Sequence, residues 1–353
     1  MDAILMWIIA AGALIGGIDR IAGNRLGLGQ RFEEGFQLLG PTALSMAGII
    51  CLIPLLSHAL NLAVVPFCGR IGLDPAMLGG LLAIDMGGYQ LAVQLSEGSS
   101  LGRYAGLVVA ATFGCTVTFT IPVGMGMLAK EDRPCFSRGI LIGLGAMPAA
   151  LLVGGLFCHL SLRTLIFQSH PICLLSLLLM TGIRKFPDQT IHGFSVFAGL
   201  IRILTTIGLT AGAFGYMTGI SLLPELSPLE DAMTVVSSIG IVLLGSLPAA
   251  EILQRLLQKP LSWIGEKTAM NSSSSAGLLI GFVSPIPVLA MFKDMDPKGK
   301  VVNAACLVCS TSALAAHMGF TFGVDPSFAA PLFLTKLIGG IAGAAAALIL
   351  QKV

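Results

Sequence analysis

Residues 269–292 read AMNSSSSAGLLIGFVSPIPVLAMF, and residues 74–95 read DPAMLGGLLAIDMGGYQLAVQL. Each stretch is apolar and long enough to enter a bilayer, where about 20 residues at ~1.5 Å each cross ~30 Å of hydrocarbon. Neither can be one unbroken helix. Pro285 and Pro287 in the first stretch, and Asp85-Met86-Gly87-Gly88 in the second, interrupt the hydrogen-bond ladder in mid-segment. Backbone groups freed at that depth need protein or a water-filled cavity to receive them. The two segments are therefore predicted to be broken, re-entrant helices.

The surrounding chain has the composition to enclose them. Of 353 residues, 55% are hydrophobic and 11% charged, and the mean hydropathy is +0.90. Apolar runs at 3–19, 40–66, 104–128, 139–160, 165–183, 196–221, 234–254, 301–323 and 328–350 predict about nine transmembrane helices in an all-α polytopic membrane protein. The runs are continuous, which excludes the alternation of a barrel strand. Met1-Asp2 leads directly into Ala3 with no basic region, so this start reads as the first span and not as a cleaved signal. A net charge of +2 gives no footprint for nucleic acid, which leaves lipid as the chain's medium. The eight cysteines are scattered, and Cys306 and Cys309 have no second Cys pair or His at ligand spacing, so they read as packing residues and no metal is expected. Walker, nucleophile-elbow and His-Glu-x-x-His patterns are missing. No cofactor and no enzyme activity are expected.

Loop charges support the re-entrant reading. With both broken segments returning to the face they entered from, fifteen Lys and Arg, among them Arg20, Lys130, Arg133 and Lys300, fall on one face. Arg70, Arg103 and Arg163 fall on the other. By the positive-inside rule the N-terminus is then outside and the C-terminus cytoplasmic.

The halves also echo each other. Gly80-Leu81-Leu82 precedes Gly102-Arg103 by the 22 residues that separate Gly277-Leu278-Leu279 from Gly299-Lys300. The resulting division is 1–160 as a first repeat, 161–190 as a linker helix and 191–353 as a second, inverted repeat. Interrupted segments at corresponding positions of two such halves form the binding sites of secondary transporters.

Candidate site residues follow from that division. Asp85 is a carboxylate near the bilayer centre, costly by about 2.5–3.5 kcal/mol on insertion scales. It reads either as a counter-ion to a solute, with Gly87 and Gly88 admitting close approach, or as a cap at the helix break. Asn271, Ser272 to Ser275 and Ser284 supply polar groups, and Pro285 and Pro287 free carbonyls; the Ser tract reads equally as a cap. His317, 197 residues beyond Thr120, is a relay or ligand candidate or a satisfied core histidine. Glu33 and Glu34 stand at the inner mouth as gate, solvated or capping groups. Glu251, Arg202 and Lys336 are further charges in apolar runs. Gly339-Gly340-x-x-Gly343 favours close helix packing, within one protomer or in a homo-oligomer.

Phe32-Glu-Glu-Gly-Phe36, Asp85-Met-Gly-Gly88, Met295-Asp-x-x-Gly-Lys-Val-x-Asn303, His317-x-Gly-Phe320 and Lys336-Leu-Ile-Gly-Gly340 together resemble the ethanolamine permease (EutH) family of bacterial ethanolamine-utilisation operons. The resemblance covers almost the whole chain. It implies an inner-membrane protein that admits ethanolamine, or a related small amine or alcohol, for an ethanolamine ammonia-lyase and its microcompartment. The chain departs from the family pattern in having Ser284-Pro285-Ile286-Pro287 where Asn-Asn-Ile-Pro is typical, and Ala316 where an acid commonly precedes the histidine. The implied mechanism is facilitated or proton-sensitive alternating access, with Asp85 pairing the solute ammonium and groups of 271–287 binding its alcohol. The rival readings are a secondary transporter of another small solute or ion, and an intramembrane transferase.

A cytoplasm-dependent fluorescent reporter joined to the C-terminus is expected to fluoresce in cells, and one at the N-terminus to stay dark. The reverse pattern would refute the assigned topology.

Overall fold

The computed structural model describes residues 2–82 and 85–350, apart from the side chains of Asp2, Asp85, Ile191, Phe194, Gln258, Leu261, Ser262, Ile264 and Glu266. Regular structure among the described residues is entirely helical. Helices α1 (Asp2–Ile21), α2 (Leu28–Gln37), α3 (Leu39–Ala63) and α4 (Val65–Ile71) lead to the short pair α5 (Ala76–Leu81) and α6 (Gly88–Leu95). A helix then begins at α7 (Ser100–Tyr104), widens to π geometry over Ala105–Gly114 and Thr116–Thr120, and ends as α8 (Ile121–Met127). Four long helices follow: α9 (Arg133–Phe157), α10 (Leu162–Lys185), α11 (Pro187–Thr218) and α12 (Leu229–Thr268). The chain ends with α13 (Ser272–Val283), α14 (Pro285–Ala290), α15 (Pro297–Ser310), α16 (Ala316–Val324) and α17 (Ala329–Leu350).

Eight helical stretches among the described residues are long and apolar enough to cross a membrane: Ala3–Ile21, Leu28–Ala63, Ser100–Met127, Arg133–Phe157, Leu162–Lys185, Pro187–Thr218, Leu229–Leu257 and Pro326–Leu350. The remaining expected span, 301–323, is not a single helix. It divides at Thr311–Ala315 into α15 and α16. No Gly or Pro marks that division, and the contacts that hold it open are tertiary.

Large apolar side chains such as Trp7, Leu174, Leu178 and Ile203 point outward, as a lipid-facing surface requires. Inside, helices approach through glycine, because dispersion and close backbone contact must replace a hydrophobic driving force in lipid. A Cβ on Gly48 of α3 would collide with the Thr205 carbonyl of α11 and lie 2.7 Å from the Leu209 nitrogen. Gly139 and Gly143 of α9 and Gly343 of α17 press likewise on α15. The glycine face of α17 is thus occupied within the protomer, Gly339 against Cys309 and Ala150, and Gly340 against Ser310. Two groups of helices result: α1, α2, α3, α11 and α12 pack together, and α9, α15 and α17 form the centre of the second group. Helix α16 packs on α12 between them.

Positions 197 residues apart take the same local roles. Gly72 and Ala269 both adopt positive φ, at 68° and 52°. Two residues on, Asp74 accepts from the Ala76 N–H and Asn271 from the Ser274 N–H, opening α5 and α13. Ser99 and Asp296 cap α7 and α15 by accepting from the N–H of Gly102 and Gly299. Arg103 and Lys300, again 197 apart, make reciprocal ion pairs with the opposite half, to Asp325 at 3.4 Å and to Asp132 at 2.6 Å.

Gly48→Val is expected to lower the stability of the purified chain by about 1–3 kcal/mol, as overpacking does. Gly40→Ala, whose Cβ meets nothing within 4 Å, leaves it unchanged. Equal melting temperatures for the two variants would contradict the close packing of α3 on α11.

Candidate solute site at two helix breaks

Pro285 decides the first break. A residue before proline is driven out of the α region, and Ser284 is extended, with φ −157° and ψ 140°. Proline also supplies no N–H to the carbonyl four residues earlier. That carbonyl belongs to Gly281, and it accepts from the Ser312 N–H at 3.4 Å; the next, of Phe282, accepts from the Leu314 N–H at 2.8 Å. Ser312 and Leu314 lie in the second break, Thr311–Ala315. The two interruptions therefore satisfy each other. Neither could persist alone in a medium without water.

The second break leaves carbonyls of its own. Helix α15 ends at Ser310, and the last carbonyls of any helix lack intrahelical partners and carry the negative end of its dipole. Lys336, only 1% exposed in α17, fills that position. Its Nζ donates to the carbonyls of Thr311 at 2.7 Å, Cys309 at 3.4 Å and Ala111 at 2.7 Å. Ala111 belongs to the π-helical stretch of the first half, so one ammonium ties three elements together. His317, 2% exposed, places Nδ1 3.2 Å from the same Thr311 carbonyl, within reach as a donor in the tautomer protonated there.

The first half meets this point through α5, α6 and the π stretch. Gly79 and Gly88 bring α5 and α6 into backbone contact, and Gly80 and Gly106 seat the pair on the π stretch. Tyr89 of α6 packs edge-on against Phe320 of α16, ring centroids 5.8 Å apart. Thr116 donates to the Val308 carbonyl of α15 at 2.6 Å. The hydroxyls of Thr112 and Thr120 are buried with no hydrogen-bond partner among the described residues. Gly87 and Gly88 are buried in the turn that begins at Asp85. The Asp85 side chain itself lies outside the described residues.

The residues singled out in the sequence do not all converge. Ser284, Pro285 and His317 stand at the crossing of the breaks. The Pro287 carbonyl is engaged by the Met291 N–H, and Pro287 is exposed. Asn271 is at the far end of α13, a 12-residue helix and so about 18 Å away. There it caps α13 and donates from Nδ2 to the Asp294 carbonyl. Ser274 serves the same end, donating to Asp296 at 2.6 Å. Glu33 and Glu34 form an exposed ion-pair network, Glu33 with Arg20 and Glu34 with Arg31, which also reaches Glu251. A cleft of about 910 Å³ lies elsewhere, between α9, α10 and α17, lined by residues such as Leu141, Leu177, Met180 and Leu350. Lys336 and the Thr311–Ala315 break are the features that sequence reasoning left out of the site. A lone lysine in an apolar run was the available signal.

A family model described as "Ethanolamine utilisation protein, EutH" matches residues 1–350. The chain belongs to the EutH family. It is 36% identical, over 98% of its length and 93% of the relative's, to a probable ethanolamine permease of Listeria monocytogenes. It is 32% identical to a protein of the same name in Escherichia coli, over 99% of this chain and 95% of that one. An uncharacterised Bacillus subtilis protein, YxeR, is 38% identical over 98% and 94%. No solved structure matches. With eight apolar helices of spanning length among the described residues, this EutH member is a multi-pass bacterial membrane protein.

At the loop end of α13, burial raises the Asp296 carboxyl, but hydrogen bonds from the Ser274 hydroxyl and the N–H groups of Asn271 and Gly299 outweigh it and hold the group below its ordinary 3.8. A depressed carboxyl stabilises the fold above that ordinary value and loses the contribution as pH falls through the lowered one. Asp296→Ala is expected to cost about 1–2 kcal/mol at neutral pH, with the gap to wild type closing in strong acid. A gap that widens on acidification would contradict this role.

Proposed function

We propose that the chain carries ethanolamine across the bacterial inner membrane into the cytoplasm by alternating access at the crossing of its two helix breaks. The crossing itself carries the reading. Interrupted helices with buried donors and acceptors at membrane depth are tolerated where they line a solute pathway, and relatives over nearly the full length are named probable ethanolamine permeases.

The two halves act as inverted repeats, 1–160 and 191–353, joined by α10. The shared caps and the reciprocal pairs of Arg103 and Lys300 support that reading. The inverted plan puts the N-terminus outside, the C-terminus in the cytoplasm, and the two ion pairs on opposite faces. Ser284, His317 and the spare hydroxyls of Thr112 and Thr120 are suited to a small amino alcohol, because each pairs with both donors and acceptors. Asp85 serves as counter-ion to the ammonium. The chain performs no chemistry on its solute.

A second reading, a transporter of a related small amine or alcohol, is favoured by one observation: Ser284-Pro285 and Ala316 both fall at the break crossing. Competition by unlabelled solutes separates the two.

Purified chain in proteoliposomes is expected to take up labelled ethanolamine saturably. Asp85→Asn is expected to lose about tenfold or more, the worth of one charge-assisted hydrogen bond. Absence of uptake by folded wild type would refute ethanolamine as the solute. Unchanged uptake by Asp85→Asn at every pH would remove Asp85 from the site.

A further inference from the structure

The cleft of about 910 Å³ between α9, α10 and α17 stands apart from the break crossing and has apolar walls and a cationic mouth. Small residues open it. Gly145 and Ala146 of α9 and Ala346 of α17 line it, and a Cβ on Gly145 would meet only the Met180 Cε, at 3.8 Å. Along α10 the lining runs from Leu177 to Lys185, which is ~12 Å at 1.5 Å per residue. One leaflet supplies ~15 Å of a ~30 Å hydrocarbon core, so the cleft has most of a leaflet's depth. Thr181 spends its hydroxyl on the Leu177 carbonyl at 2.8 Å. Arg184 and Lys185, the last two residues of the α10 span, are exposed and line the mouth. Arg138 of α9 stands at the same end, donating at 3.4 Å to the carbonyl of Leu350, another lining residue. Other cations at helix ends are held by carboxylates: Arg20 by Glu33, Arg31 and Arg255 by Glu251, and Lys300 by Asp132. Arg184 and Lys185 form no ion pair among the described residues, and the lining contains no acid. Asp188, the next acid along the chain, opens α11 and pairs with neither. The negative end of the α10 dipole favours cations here, and their N–H groups are left for an anion.

We propose that this cleft binds one anionic phospholipid of the adjoining leaflet. The Arg184 guanidinium, whose fork matches phosphate oxygens in pairs, and the Lys185 ammonium donate to the headgroup phosphate. An acyl chain lies along Leu177 and Met180 over Gly145 and Ala146. Basic pockets between transmembrane helices are where anionic headgroups are recognised. Depth and charge together select this occupant. A water-soluble anion has no use for ~12 Å of apolar wall beneath its charge, and a second copy of the chain would have to bring a carboxylate to the mouth. Helix α9 comes from the first half of the sequence, α17 from the second, and α10 lies between them in the chain. One bound lipid therefore touches all three, whatever solute the chain carries.

Native mass spectrometry of the full-length chain in mild detergent, offered equal amounts of dioleoyl phosphatidylglycerol and dioleoyl phosphatidylcholine, reads the preference directly. Wild type is expected to retain one phosphatidylglycerol, favoured about tenfold or more over phosphatidylcholine by the two cations. The double variant Arg184→Gln/Lys185→Gln is expected to lose that preference. Gly145→Leu, which fills the cleft and keeps both cations, is expected to lose the retained lipid. Arg163→Gln, at the opposite end of α10, is expected to behave as wild type. Equal retention of the two lipids by wild type overturns the proposal, as does a preference that survives the double substitution or Gly145→Leu in folded protein. A wild-type dimer that Gly145→Leu dissociates also overturns it, because the occupant is then a second copy. If the double variant does not fold, Gly145→Leu decides.

Discussion

Everything in this structure depends on where the backbone groups of two interrupted helices find partners in the absence of water. Proline at 285 removes a donor from one helix, and the gap is closed by N–H groups of a second helix that has itself come apart at Thr311–Ala315. An unpaired amide or carbonyl in hydrocarbon costs several kcal/mol, so each break is conditional on the other. Lys336 completes the arrangement by answering the carbonyls that the second break exposes. The glycine contacts of α9, α15 and α17 matter for the same reason, since they bring the lysine close enough to reach those oxygens.

That dependence links fold to function. A continuous span is inert to solutes, because its polar groups are spent along its own axis. A broken span presents carbonyls, N–H groups and a helix end at the depth where a polar solute most needs them. In the proposed pathway such groups come from both halves of the sequence: the π stretch contributes the Thr112 hydroxyl and the helix that continues it the Thr120 hydroxyl, and the second half contributes Ser284, the Thr311 carbonyl and His317. A rearrangement of one half against the other would change all of these contacts together, and the α16 packing on α12 lies on the path between the two groups of helices.

The all-helical membrane fold was legible because apolar runs of spanning length have few other uses, and the break at Ser284 because Pro285 has one local consequence. The break at 311–315 was not legible. Thr311-Ser312-Ala313-Leu314-Ala315 contains neither Gly nor Pro, and its conformation is imposed by carbonyls of Gly281 and Phe282 and by Lys336, all about 25 to 30 residues away in the chain. The π stretch was hidden for the same reason, since Ala105–Gly114 is an ordinary apolar helix by composition. Among candidate site residues, an Asn before a Ser run serves a cap as readily as a pocket, and Asn271 takes the cap of α13. Glu33 and Glu34 were read as gate, solvated or capping groups at the inner mouth, and their arginine partners, which the sequence does not assign, come from α1 and from α2 itself.

The most direct test of the account is an electron cryo-microscopy structure of the chain in a lipid nanodisc at saturating ethanolamine. The account predicts an interrupted helix at 311–315, Lys336 on the carbonyls of Thr311 and Cys309, and solute density beside Ser284 and His317. A continuous helix through 297–324, or solute density confined to the cleft between α9, α10 and α17, would contradict it.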